Sequence, residues 1–149
     1  MSEGRGTTQP FEVFGAPFID TARMEASTSK VRLPGVHLRP IAFEPTSDKW
    51  AGRVCHGFQL HIVDPLAFKP YLTTLVLMQA VVGGHRDAFE WTPPPYEYEP
   101  EKLPFDVITG DPLVRQAIEN QGPMEDLEQT WSDELNEFKE ICRSLLLYA

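Results

Sequence analysis

The sequence predicts an α+β fold: a small mixed sheet with a central strand near 55–63, packed by a buried helix over 70–82 and a long C-terminal amphipathic helix over 124–146. Three observations predict it. Cys55-His56-Gly57-Phe58-Gln59-Leu60-His61-Ile62-Val63-Asp64 alternates, so Phe58, Leu60 and Ile62 fall on one side of a strand and Gly57, Gln59, His61 and Val63 on the other. Residues 70–82 hold few polar positions and are stopped by Gly83-Gly84, as in a helix buried on several sides. From 124 onward, Leu127, Trp131, Leu135, Phe138, Cys142 and Leu145 recur at intervals of three or four, with Glu and Asp between them.

The remaining elements follow in chain order. Gly4-Arg5-Gly6-Thr7-Thr8 is a glycine-rich turn of the kind that brings backbone close to a ligand or another segment. It lacks the lysine ending of a phosphate-binding loop, and at a free terminus it would fray. Residues 10–19 read as extended, with Phe11 and Val13 buried and Glu12 solvated or paired with Arg5. Asp20 caps a short helix over 21–29, and Leu33-Pro34-Gly35 is a turn. Residues 36–43 form a strand that Pro40 confines to a sheet edge or bends. The loop 44–52 ends in Trp50, which faces either the core or a sugar ring. Prolines 93, 94, 95 and 100 make 88–103 an extended arm, with an interaction motif for a proline-binding domain as the sharper reading. Asp111-Pro112 opens a further helix that Gly122 ends.

Composition narrows the function. A length of 149 residues suits one domain with a real core. A net charge of −9 repels nucleic-acid backbones and anionic membrane surfaces. No segment approaches the roughly 20 apolar residues of a membrane span, and no signal peptide is visible. Localisation stays open. Cys55 and Cys142 are too few for a disulfide framework; we read both as small apolar core residues. No metal-ligand spacing, Ser/His/Asp order or nucleophile elbow appears. Gln59 and His61 have two readings: polar groups satisfied inside a sheet, or the lining of a cleft that binds a polar ligand.

Several runs together resemble one family. Gly4-Arg5-Gly6-Thr7-Thr8-Gln9-Pro10-Phe11-Glu12-Val13-Phe14-Gly15-Ala16-Pro17-Phe18, Leu33-Pro34-Gly35-Val36, Phe43-Glu44-Pro45-Thr46, Lys49-Trp50-Ala51-Gly52, Cys55 to His61 and Leu145-Leu146-Leu147-Tyr148 are similar, in order, to the C-terminal part of the NamZ exo-β-N-acetylmuramidases. The resemblance implies a two-domain glycosidase with a larger Rossmann-like N-terminal domain, absent from this chain, and an active site in the cleft between the domains. Its implied substrate is N-acetylmuramic acid at the non-reducing ends of peptidoglycan fragments, and no cofactor or metal is implied. Ser2 matches the start of the family's Ser-x-Gly-Arg-Gly-Thr run, and Ser47 stands where the family often has an aromatic. On this reading Arg5 pairs with the lactyl carboxylate and Thr7 and Thr8 bond sugar hydroxyls. Glu12, the catalytic candidate, also holds Arg5, and Gln59 and His61 line the cleft floor. The isolated chain is expected to be inactive, and a non-catalytic glycan-binding or domain-capping module is the alternative.

Overall fold

The computed structural model describes residues 1–147, so Tyr148 of the terminal motif lies outside the described residues. It divides into two compact units, Met1–Trp91 and Thr92–Ala149. The first unit holds β1 (Val13–Ala16), α1 (Thr21–Thr28), β2 (Val36–Phe43), β3 (Cys55–Ile62) and α2 (Pro70–Gly84). The second holds α3 (Pro104–Thr109), α4 (Pro112–Glu119), α5 (Met124–Thr130) and α6 (Ser132–Arg143).

The α+β class holds, with β3 central as its alternation requires. The sheet is three-stranded in the order β1-β3-β2, and both pairings are antiparallel, so parallel strands have no part in it. The reason lies in the connections. Parallel neighbours need a long crossover between them, whereas antiparallel strands accept shorter returns such as 44–54. Pro40 lies on β2, which pairs only with β3, so its missing N–H faces no neighbour.

Register divides the side chains into two sets. Phe14, Phe58 and Pro40 align across the sheet, as do Leu38 and Leu60. This side forms the core with Ala16, Ile19, Met24 of α1, and Leu77, Ala80 and Val81 of α2. Phe58 is fully buried, and its ring stacks on Phe14 at 5.9 Å. Burial of one such ring contributes about 2–3 kcal/mol. Trp50 takes the core-facing alternative, its ring edge-on to Phe18 at 6.3 Å and under the Arg53 guanidinium at 5.0 Å.

Caps hold the helices. Asp20 accepts from Arg23 N–H at 3.1 Å, and Asp111 from Leu113 N–H at 2.8 Å. The ring of His85 links the start of α1 to the end of α2: Nε2 accepts from Asp20 N–H at 2.9 Å, and Nδ1 lies 3.1 Å from the Val81 carbonyl. The sequence gives little sign of that link, because it joins residues 65 positions apart.

Three expectations need correcting. Phe11, expected to be buried, is exposed, with the Arg5 guanidinium over its ring. The opening turn is not frayed. Ser2 and Gly15 exchange backbone hydrogen bonds of 2.7 and 3.0 Å, Phe11 N–H donates to Glu3 O, and Thr46 N–H donates to Gly6 O at 2.8 Å. The helix over 124–146 is interrupted at Trp131, whose φ of −107° and ψ of 3° end α5. Hydroxyls flank the break: Thr130 donates to Leu127 O at 2.7 Å and Ser132 to Gln129 O at 2.9 Å, offering the backbone carbonyls an alternative to continued helix. Short α3 was not anticipated; Pro104 in its first turn and left-handed Gly110 at its end were its signals. In α4, Arg115 grips Asp106 of α3 through two bonds of 2.8 and 3.0 Å, and these bonds push its pKa up. The arm at 88–103 is irregular, with a cis Pro94–Pro95 bond and a small bridge from Tyr96 to Glu99.

Candidate functional site

The side of the sheet opposite the core carries Val13, Gln59 and Arg39 abreast, then Gly15, Gly57 and Ile41, with His37 beside His61 and Phe43 beside Cys55. A cavity of about 660 Å³ opens here. Its walls are the opening loop (Gly6 to Gln9), Val13 on the floor, and β2 with the segment after it, from Arg39 to Thr46.

The loop reaches that position because of its glycines. Gly4 and Gly6 have φ of 81° and 78°, where a side chain is strained. A Cβ on Gly6 would lie 2.6 Å from the Ser47 backbone nitrogen, so the loop lies directly against the segment after β2. Thr46 completes the seam by donating its hydroxyl to Gly6 O at 2.9 Å. Thr7 turns its hydroxyl inward, donating to Gly4 O at 2.6 Å and accepting from Gln9 N–H. Thr8 is exposed on the cavity wall.

The structure gathers some of the expected residues and separates others. Thr7 and Thr8 line the cavity. Gln59 lies behind the wall, 5% exposed, and its Oε1 accepts a hydrogen bond from Arg39 Nη2. His61 lies on the same side of β3, exposed and paired in register with His37, but outside the cavity lining. Arg5 is also outside the lining. Its guanidinium reaches Glu3 at 3.2 Å and Asp48 at 3.7 Å and covers the Phe11 ring, so these acids take the place expected of Glu12. Glu12 is exposed and is fixed through its backbone, whose carbonyl accepts from Leu60 N–H at 2.8 Å.

Two charged residues of the cavity were not anticipated. Arg39 gave no motif signal, since an arginine on an edge strand reads as solvated until register sets it against Gln59. Glu44 had a signal, because it lies within the Phe43-Glu44-Pro45-Thr46 run. Among the described residues no cluster of His, Cys, Asp or Glu could hold a metal ion. No described helix is long and apolar enough to cross a membrane. The arrangement offers one cation, one carboxylate, hydroxyls and an amide around an open depression that Val13, Ile41, Ala42 and Phe43 also line, so it presents both polar and apolar surface.

The class defined by this fold and cavity is a small α+β module with an open depression on one side of its sheet. A solved DUF1343 family protein from Bacteroides fragilis shares the fold, with a TM-score of 0.78 at 24% identity, covering 100% of this chain and 38% of that one. The chain belongs to the family described as exo-beta-N-acetylmuramidase NamZ, C-terminal, which matches residues 1–148. It is similar to the peptidoglycan beta-N-acetylmuramidase NamZ of Bacillus subtilis, 33% identical over 148 residues. That alignment covers 99% of this chain and 34% of the relative, so the chain spans about a third of the relative's length.

Proposed function

We propose that residues 1–149 act as one C-terminal domain, supplying one wall of the interdomain active-site cleft of a glycosidase. The enzyme would release N-acetylmuramic acid from the non-reducing ends of peptidoglycan fragments. The observation that carries this reading is the coincidence of motif and cavity: the Gly6–Gln9 and Phe43–Thr46 segments, both in runs that resemble the family, face each other across one polar depression. The partner is a preceding Rossmann-like domain, and the ligand is a muropeptide or a related sugar. Thr8 bonds sugar hydroxyls, Thr7 shapes the loop and Gln59 orients a guanidinium, while Arg5 and His61, outside the cavity lining, take no direct part. Glycosidases need two placed carboxyl groups. Glu12 is a weak candidate for one, because it lies outside the cavity lining.

The test joins the chain to the N-terminal portion of a family member and measures sugar released from muropeptides, beside the chain alone. Release by the joined protein and none by the chain alone is the expected result; a joined, folded protein with no release overturns the reading. Glu44 as the cavity's lone carboxylate favours a second reading, a glycan-binding module without catalytic groups of its own. Muropeptide binding by the chain without any loss of cleavage when Glu12 and Glu44 are both changed to Gln in the joined protein supports that alternative.

A further inference from the structure

We propose that Arg39, held by Gln59, is the carboxylate-binding group of this cavity and that it selects an acidic sugar, one carrying a carboxylate beside hydroxyl and amide groups. The inference rests on the muramidase reading and names the residue through which the cleft would choose its substrate.

Three observations meet at Arg39. First, its charge is uncompensated. Arg5 is matched by Glu3 and Asp48, Arg115 by Asp106 and Glu119, and Arg143 by Glu140. Arg39 instead donates to a neutral amide; like Arg23, Arg32, Arg53 and Arg86 it has no carboxylate partner among the described residues, and of these five it alone lines the cavity. Second, that amide fixes direction without cancelling charge. Gln59 is nearly inaccessible in the central strand, directly opposite Arg39 in register, so its oxygen engages one edge of the guanidinium. A guanidinium carries five N–H donors in a planar fork, which leaves others for a two-point bond to a carboxylate. Third, the surroundings suit the rest of such a sugar. Thr8, Gln9 and Glu44 also border the cavity, and none of them has an ion pair among the described residues. Glu44 accepts from hydroxyl or amide N–H groups, and its negative charge disfavours a doubly charged phosphate more than a carboxylate. A neutral sugar would leave Arg39 unmatched, so the acid group is what the cavity discriminates.

The test uses the full-length protein and two aryl β-glycosides, of N-acetylmuramic acid and of N-acetylglucosamine, which differ by the acidic lactyl ether. Loss of a charge-assisted two-point contact corresponds to a roughly 10- to 100-fold change. Arg39→Ala should therefore raise KM for the acidic glycoside by that factor and lower the acid-over-neutral preference equally. Arg39→Lys should restore part of it. Gln59→Leu should raise KM for the acidic glycoside less than Arg39→Ala does. An acid-over-neutral ratio unchanged in Arg39→Ala overturns the inference. Calorimetric titration with free N-acetylmuramic acid and N-acetylglucosamine separates this from the enzymatic reading. Acid-selective binding that Arg39→Ala removes supports the assignment even where neither glycoside is cleaved. A wild-type protein that binds the two sugars alike overturns it.

Discussion

The two sides of the three-stranded sheet are built from the same strands, yet they do opposite work. One side presents Phe14, Phe58, Leu38 and Leu60 to α1 and α2 and holds the unit together. The other presents Arg39, Gln59, His37 and His61, and only a thin loop lies over part of it. Alternation along β3 produces both at once, since each residue step reverses direction. A core residue and a residue of the polar side are therefore immediate neighbours, as Phe58 and Gln59 are. Their substitutions should separate stability from binding.

The largest effect should come from the dry side. Phe58→Ala removes a fully buried ring and leaves a cavity, and should lower unfolding free energy by about 4 kcal/mol in urea titration. Gly57→Ala, though on the opposite side, should follow at roughly 3 kcal/mol, because its clash is with the neighbouring backbone and not with a side chain of either face. The added Cβ would stand 1.9 Å from the Phe14 carbonyl oxygen, so β1 and β3 must part. Gln59→Leu sharpens the contrast. Arg39 is exposed and can rehydrate, so the same titration should show a loss of at most about 1 kcal/mol. A loss as large as that of Phe58→Ala would show that the polar side also carries the fold.

The smallest effect concerns Cys55, a buried thiol on the polar side's register row whose pKa burial pushes up. Above the ordinary thiol pKa, near 8.5, the unfolded chain ionises while the native thiol keeps its proton. Stability should fall as pH rises through that window, by at most about 1.4 kcal/mol per pH unit. Cys55→Ala should flatten the slope in thermal melts between pH 8 and pH 10 (roughly the interval set by that pKa).

The dry side was the more legible in sequence, because alternation and a nearly all-apolar helix need no knowledge of partners. Phe58, Leu60 and the α2 residues follow from period alone. The polar side was half legible. Gln59 and His61 stood out as polar residues on a core strand, and Thr7 and Thr8 as part of a tight turn. Arg39 was hidden, because only the register of β2 against β3 sets it opposite Gln59. Arg5 attracted the carboxylate role by its place in the motif, but Glu3 and Asp48, both near it in space, already compensate its charge. The break at Trp131 escaped because hydrophobic period describes a face and is blind to hydroxyls competing for the carbonyls beneath it.

Gly6 determines how this cavity meets a ligand. Its missing side chain lets the loop lie directly on the Ser47 backbone, where two bonds from Thr46 fasten it. The two segments that border the depression are thus fastened to each other within the chain itself. A ligand taken up there would cost the loop little conformational freedom.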